Sequence, residues 1–257
     1  MSRGTTLTRA YGVAGSWPGS RCPLPKPINN SLLAAFPLAS ARWGSQLEPV
    51  VFTVGQVLLE TNSQITHVYF PTSATISLSE EMKNGCAAEV AVVGREGVIG
   101  IAVVMGSDLA WSRAMVQSAG NGFRLKCSVL EDELDRTGIV LSLLLRYLQA
   151  LITQIAQTVV CNRLHRLDKQ FCRWLLMSVD RLSSEELTMT HGQIASALGV
   201  RREGVTHAAV QLQKAGIIRY SRGHIVVLDR PGLEAASCEC YSVVKCEYDR
   251  LLADRLH

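Results

Sequence analysis

Thr190-His191-Gly192-Gln193-Ile194-Ala195-Ser196-Ala197-Leu198-Gly199-Val200-Arg201-Arg202-Glu203-Gly204-Val205-Thr206-His207-Ala208-Ala209-Val210-Gln211-Leu212 reads as helix, tight turn, helix. Thr190 is an apt N-cap, because its hydroxyl can accept from an otherwise unpaired first-turn amide. Gly199 falls where the turn asks for a left-handed backbone, which glycine adopts without a Cβ clash. Ala195 is small where the second helix must cross closely. Ile194, Leu198, Val200, Val205 and Ala208 fall where the two helices face each other and the core. The spacing therefore predicts a helix-turn-helix over 190–215, against the plainer alternative of an ordinary helical hairpin.

A second helix of this kind presents Arg201, Arg202, Glu203, Thr206 and His207 outward from its first turns. Arginine can bond a guanine edge with two donors, and a carboxylate can accept from cytosine N4. Gly216 ends that helix. Ile217 to Tyr220, the turn Ser221-Arg222-Gly223, and His224 to Leu228 then read as a β-hairpin wing, with Arg219, Arg222 and His224 placed to meet phosphates.

Charge supports the same region. The 257 residues carry a net +4, and residues 188–228 hold five basic groups and one acid. Residues 29–187 hold thirteen basic and fifteen acidic groups, and 229–257 hold four and six. Apart from residues 1–28, with four basic groups and no acid, positive charge collects in the helix-turn-helix and wing. Double-stranded DNA is the anionic partner that fits such a block.

On the N-terminal side, Leu47 to Leu125 alternates short β-branched runs with turn formers. Val50-Val51-Phe52, Val57-Leu58-Leu59, Val68-Tyr69-Phe70, Thr75 to Leu78 and Val90 to Val93 are the strand candidates, with a hairpin turn at Asn84-Gly85. Evenly spaced short strands imply an antiparallel barrel or roll. After Thr137 the period changes: Leu141, Leu145, Leu148, Ile152, Ile155 and Val159 alternate by four and three, the spacing of a coiled-coil seam. Leu144 and Leu151 widen the stripe, so this helix can lie on the roll by one flank and on a second copy of the chain by the other, making a homodimer. A further helix is expected over Lys169 to Arg181, with Asp168 as N-cap and residues 163–167 as hinge.

No run supplies the roughly 20 uninterrupted apolar residues of a membrane span, and residues 1–28 read as a flexible tail with no signal core. The eight cysteines are scattered, which argues for reduced thiols and a cytoplasmic location. Cys238-Glu239-Cys240 with Cys246 is a suggestive triplet, but Tyr241, Val244, Tyr248 and Leu251 have helical spacing, so the cysteines can simply share that helix; no metal is expected. His67, His165 and His191 are isolated. No Gly-x-Ser-x-Gly elbow, P-loop or His-Glu-x-x-His is present, so the chain is not expected to be an enzyme and no catalytic residue is assigned.

The order of roll, long dimerisation helix, hinge helix and winged helix-turn-helix resembles the Crp–Fnr (cyclic-AMP-receptor-like) family of bacterial transcription regulators, over roughly residues 30–230, with a divergent sensor domain. The resemblance is strongest at Arg202-Glu203-Gly204-Val205, which is similar to the family's Arg-Glu-Thr-Val. His207 stands where many members have a second base-reading arginine, and Arg201 replaces a capping serine or threonine. The resemblance implies an α+β fold: an N-terminal antiparallel β-roll of cyclic-nucleotide-binding-like jelly-roll type, a long dimerisation helix and a C-terminal winged helix-turn-helix. The corresponding divisions are a tail over 1–28, a sensor over 29–136, a dimerisation helix over 137–162, a DNA-binding domain over 163–232 and a helical extension over 233–257. It also implies a homodimer on a palindromic operator, with RNA polymerase as a partner should it activate; a helix-turn-helix adaptor that binds protein is the alternative.

Members that bind cyclic nucleotides use a Gly-Glu-Leu turn and an Arg-Ser-Ala motif. Here Glu96 in the Gly94 to Gly100 turn and Arg113 in Ser112-Arg113-Ala114 are the matching ligand-binding candidates, although the order of the second motif is changed and a one-residue shift on a strand reverses the face. The cofactor is left open. The closely spaced N-terminal cysteines of the family's iron–sulfur proteins are missing, since only Cys22 lies in that region.

Overall fold

The computed structural model describes residues 29–36, 42–83, 85, 87–136, 138–182 and 186–252. The tail expected over 1–28, Asn84 of the expected hairpin turn, and Thr137 lie outside the described residues.

Seven strands make the N-terminal roll: β1 (Glu48–Phe52), β2 (Val57–Leu59), β3 (His67–Pro71), β4 (Thr75–Glu81), β5 (Ala87–Val93), β6 (Arg113–Ser118) and β7 (Gly120–Lys126). They form two antiparallel sheets, ordered β1-β7-β3 and β2-β6-β4-β5. Alternation along the strands sends Phe52, Val68, Phe70, Ile76 and Leu125 inward, where all are buried. Asn62 takes φ 63° in the β2–β3 connection, the left-handed region that asparagine tolerates. A short helix α1 (Ser31–Ala35) is held by Asn30, whose Oδ1 accepts from Leu33 N while its Nδ2 donates to Pro71 O and Gly97 O.

Helix α2 (Cys127–Leu134) leads into α3 (Gly138–Leu164), 27 residues long. With mean hydropathy 1.7 over its most apolar window, α3 is long and apolar enough to cross a bilayer, which counting uninterrupted apolar runs does not reveal. Its packing is that of a core helix on one side. Val140, Leu144, Tyr147, Ala150 and Leu151 are buried, Tyr147 OH donates to Val98 O at 3.1 Å, and Gln154 Nε2 donates to Val92 O at 3.1 Å. Gly97 lets α3 come this close, because a Cβ there would overlap the Tyr147 ring.

Helix α4 runs Leu167–Val179, two residues earlier than the sequence suggests. Arg166 is its N-cap, without a side-chain capping bond. Asp168 is therefore not the cap but an acid in the first turn, where it complements the positive end of the helix dipole. The hinge shrinks accordingly to His165 and Arg166. Next come β8 (Glu186–Thr188), α5 (His191–Leu198), α6 (Arg202–Lys214), β9 (Ile218–Ser221) and β10 (His224–Val227), with a third antiparallel sheet in the order β8-β10-β9. The chain then forms α7 (Arg230–Ala236) and α8 (Glu239–Leu252). Helix α8 lies along α3: the Tyr248 and Tyr147 rings meet edge to face at 6.4 Å, and Tyr248 OH donates to Gln154 Oε1 at 3.0 Å.

Candidate nucleic-acid interface

The turn between α5 and α6 is built by three local devices. Thr190 caps α5 in a capping box: Oγ1 accepts from Gln193 N at 3.3 Å, and the Gln193 Oε1 accepts from Thr190 N at 2.9 Å. Gly199 ends α5 at φ 65°, in the left-handed region expected of it. Val205, Ala208 and Ala209 turn inward and are buried, together with Ile194, Ala195 and Leu198 of α5. Gly204 stands where the resembling motif carries threonine, and a Cβ there would press on Leu167 Cδ2, so the glycine lets the first residue of α4 pack onto α6.

With one face spent on the core, the other presents Arg201, Arg202, Glu203, Thr206 and His207, all exposed. Arg201 is the N-cap of α6 and makes no side-chain capping bond, so first-turn amides and the positive end of the dipole face outward beside two guanidinium groups. This end of α6 is suited to anions. Thr206 is exposed as expected, but its hydroxyl is engaged within the fold: Oγ1 donates to Arg202 O at 3.0 Å and lies 2.9 Å from His191 Nδ1. Because that hydroxyl proton is committed, the network assigns the Nδ1 proton to His191 as donor. The His191 ring stacks on Tyr220 of β9 at 4.1 Å, and its Nε2 is buried without a partner. Desolvation, helped by the charge of Arg202, holds the His191 pKa below its ordinary value. By sequence His191 reads as isolated, since nothing in the spacing shows that Tyr220 of β9 stacks on its ring and Thr206 of α6 bonds its Nδ1.

The wing forms as a two-residue hairpin. His224 pairs with Ser221, leaving Arg222 (φ 50°) and Gly223 (φ 86°) as the turn, both left-handed. Arg222 and Arg219 are exposed. His224, a phosphate candidate by sequence, instead meets Glu186 of β8, Nδ1 to Oε1 at 2.7 Å. Strand β8 itself was not anticipated; it is only three residues long.

The helix-turn-helix is joined to the roll through buried polar contacts. Glu89 on β5 accepts from Trp174 Nε1 of α4 at 3.0 Å and from Gln117 Nε2 at 2.8 Å. Burial pushes the Glu89 carboxyl above its usual range, against the pull of its hydrogen bonds from Ser77 and Trp174. Gly199 lies against Ala88, and a cavity of about 200 Å³ between roll and α5 is lined by Ser77, Arg113, Gln117, Gln193 and Ser196 among others.

The two ligand-binding candidates are not brought together. Glu96 lines a different cavity, of about 530 Å³, beside Arg181, Asp180, Arg230 and Tyr248. There Glu96 Oε1 accepts from Arg181 Nε at 2.7 Å and from Gly94 N at 3.1 Å. Arg113 Nε, on β6, lies 3.1 Å from Oε2 of Glu60, the residue just past the neighbouring strand β2. The changed order of the Ser-Arg-Ala motif has the consequence a strand imposes, since neighbouring residues there face opposite ways. Of the cysteine triplet, Cys238 and Cys240 are buried together, whereas Cys246 is exposed on α8.

The expected seam residues of α3 divide between solvent and core, with Leu148 and Ile155 packed partly against the protomer's own core. Leu145, Ile152 and Val159 are 47, 51 and 63% exposed, while Leu141, Leu148 and Ile155 are half-buried. The flank carrying Leu144 and Leu151 is buried within the protomer.

Residues 169–236 match the model of the Crp-like helix-turn-helix domain. Among solved structures, FixK2 from Bradyrhizobium japonicum superposes with a TM-score of 0.66 at 16% identity, covering 75% of this chain and 98% of its own. A CRP family transcriptional regulator from Thermus thermophilus superposes with a TM-score of 0.60 at 17% identity, covering 73% and 96%. A CRP/FNR family regulator from the same organism gives 0.57 at 21%, covering 74% and 98%. No curated protein matches the sequence. The matched domain ends with α7, so α8 lies beyond it.

Proposed function

We propose that the chain is a transcription regulator of the Crp–Fnr type, on the strength of its Crp-like helix-turn-helix domain, and that it binds a palindromic operator as a homodimer, reading base edges with the first turns of α6. The observation that carries this reading is the division of α6 into a buried face of Val205, Ala208 and Ala209 and an exposed one of Arg201, Arg202, Glu203 and His207. Arg202 is the principal base reader, suited to the O6 and N7 of guanine, with Glu203 accepting from cytosine. His207, one turn on from Glu203, is the second reader; Thr206 contributes through its methyl group and by holding Arg202's turn. Arg219 and Arg222 meet the flanking phosphates from the wing.

Two copies meet along Leu141, Leu145, Leu148, Ile152, Ile155 and Val159, which leaves both α6 helices facing the same side of the duplex. The roll is the sensor domain, and its signal acts by binding two arrangements of the α3–α4 hinge with different affinity. Activation would add RNA polymerase as a partner. The protein works in the cytoplasm, where its DNA is.

The test is an anisotropy titration on an operator found by genome-wide footprinting. Each bidentate arginine contact is worth about 1–3 kcal/mol, and a dimer loses two, so Arg202→Ala lowers specific affinity at least about thirtyfold with the fold intact. Binding should also weaken steeply with salt as counterions are released. Unchanged operator affinity in Arg202→Ala refutes the assignment. Salt-independent behaviour with a co-purifying protein supports the adaptor reading instead.

A further inference from the structure

The end of α3 and the junction of α7 with α8 bring four side chains of metal-binding type to one point. Cys161 lies in the last turn of α3 and His165 one residue past its end, where His165 N still donates to Cys161 O at 3.0 Å and so keeps the two on one face. Cys238 and Cys240 flank Glu239, the first residue of α8. One ligand atom from each of the four lies within 4.8 Å of all the others. Cys161 Sγ is 3.6 Å from Cys238 Sγ, and Cys240 Sγ is 3.5 Å from His165 Nδ1.

Those distances have a chemical meaning. Tetrahedral zinc, with Zn–S ~2.3 Å and Zn–N ~2.0 Å, sets its ligand atoms roughly 3.5–3.8 Å apart along the edges of the tetrahedron. Both measured edges have that length, and a disulfide would need about 2.05 Å. The three sulfurs are buried in a small cluster of their own, apart from the main core. His165 turns Nδ1 toward the sulfurs and Nε2 toward Glu239 Oε1 at 3.4 Å, the carboxylate–histidine arrangement that orients a metal-bound imidazole.

The surroundings suit the charge as well. Three thiolates around a divalent cation leave one net negative charge. Arg173 of α4, only 4% exposed, exerts its positive charge on Cys161 and Cys240. Its Nη1 donates to Thr158 at 3.2 Å, its Nε has no hydrogen-bond partner, and its charge is shared between the thiols and the buried Glu89 carboxylate. Gln170 Nε2 donates to the carbonyls of Cys161 and His165, fixing the turn that carries the imidazole.

We propose that Cys161, His165, Cys238 and Cys240 bind one zinc-type divalent ion in a closed tetrahedral site. All four positions are filled by protein, so the ion is structural and leaves no place for water or substrate. Its effect is to staple the start of α8 to the last turn of α3, beside the two-residue link that joins α3 to the helix-turn-helix. Sequence alone pointed elsewhere, because Cys246 shares the local cysteine cluster while Cys161 and His165 are more than seventy residues away.

The experiment uses the full chain, purified under reducing conditions without chelator. Elemental analysis should find about one zinc per chain, and X-ray absorption a sulfur shell at ~2.3 Å with nitrogen at ~2.0 Å. Cobalt(II) exchanged into the protein should show tetrahedral thiolate absorption. Cys238→Ser and Cys240→Ser should lose the ion, whereas Cys246→Ser and Cys172→Ser keep it. His165→Cys should keep it with an all-sulfur shell. Glu239→Gln should weaken affinity about tenfold or more in competition with a chromophoric chelator. Folded wild-type protein that holds no zinc and takes up no cobalt(II) overturns the proposal. So does a Cys161–Cys238 disulfide in the reduced preparation, or loss of metal in Cys246→Ser. If a serine variant fails to fold, wild-type stoichiometry and the absorption shell decide.

Discussion

Arg181 Nε donates to Glu96 Oε1 at 2.7 Å, with the two side chains only 6 and 17% exposed. This pair ties the residue just past α4 to the turn after β5, so it spans the roll and the helix-turn-helix. The same guanidinium donates to Gln154 Oε1 of α3 at 2.7 Å and to Met177 O at 2.8 Å, and lies 5.3 Å from the Tyr248 ring centre of α8. Four segments therefore meet at one buried cation.

Removing one partner of a buried ion pair leaves the other charged and unpaired, at a cost of about 3–5 kcal/mol. Arg181→Met should lower the urea unfolding free energy by about that much. Glu96→Gln should cost less, because the amide oxygen still accepts from Arg181. The double variant should lose less than the sum of the two, since the residues interact directly. Strict additivity in the double-mutant cycle would show that the pair is not coupled.

His191 makes a pH prediction. Its folded pKa is depressed, by burial first and by Arg202 second, so the unfolded chain binds more protons as pH falls through the ordinary histidine value. The stability it supports is complete above about pH 6.5 and is lost below it. Protonation would also place a second positive charge beside Arg202 and require a partner for the buried Nε2. Compared with His191→Gln, the wild type should lose stability more steeply between about pH 7.5 and pH 5.5 in melts taken at constant ionic strength. Since the depressed pKa of His67 acts in the same direction, the difference between the two proteins is the informative quantity. Parallel curves would remove His191 from the account.

Local signals were the legible part of this fold. Gly199, Thr190 and the wing glycine each impose a backbone conformation on their own few residues, and the α5–α6 turn follows from them. The strand runs around Val68 and Val90 and the four-three stripe of α3 carry their period in the sequence itself. What sequence misplaced depended on tertiary neighbours. Asp168 is a good N-cap by type, yet α4 starts earlier because Leu167 packs against Gly204. Glu96 and Arg113 matched motif positions, but the two residues line separate cavities. Strand β8, the His191–Tyr220 stack and the Cys161–His165–Cys238–Cys240 group join residues far apart in the chain, and no periodicity records such pairings.

The seam of α3 supplies the last prediction. Leu148 packs partly on the protomer's own core, so Leu148→Glu tests dimerisation and folding together. Ile152 and Val159 separate the two effects: at 51 and 63% exposed they contribute little to the isolated protomer, where surface substitutions stay within about 0.5 kcal/mol. In a coiled-coil seam the same positions face their counterparts across the two-fold axis, and glutamate there would set two like charges together in a drying contact. Ile152→Glu should therefore sediment as a folded monomer, with an unchanged circular dichroism spectrum and a much weakened hold on a two-half-site operator, because each half-site then binds alone. Val159→Glu should do the same from the other end of the seam. If both variants sediment as the wild type does, the exposed stripe of α3 has another occupant and the palindrome loses its structural basis.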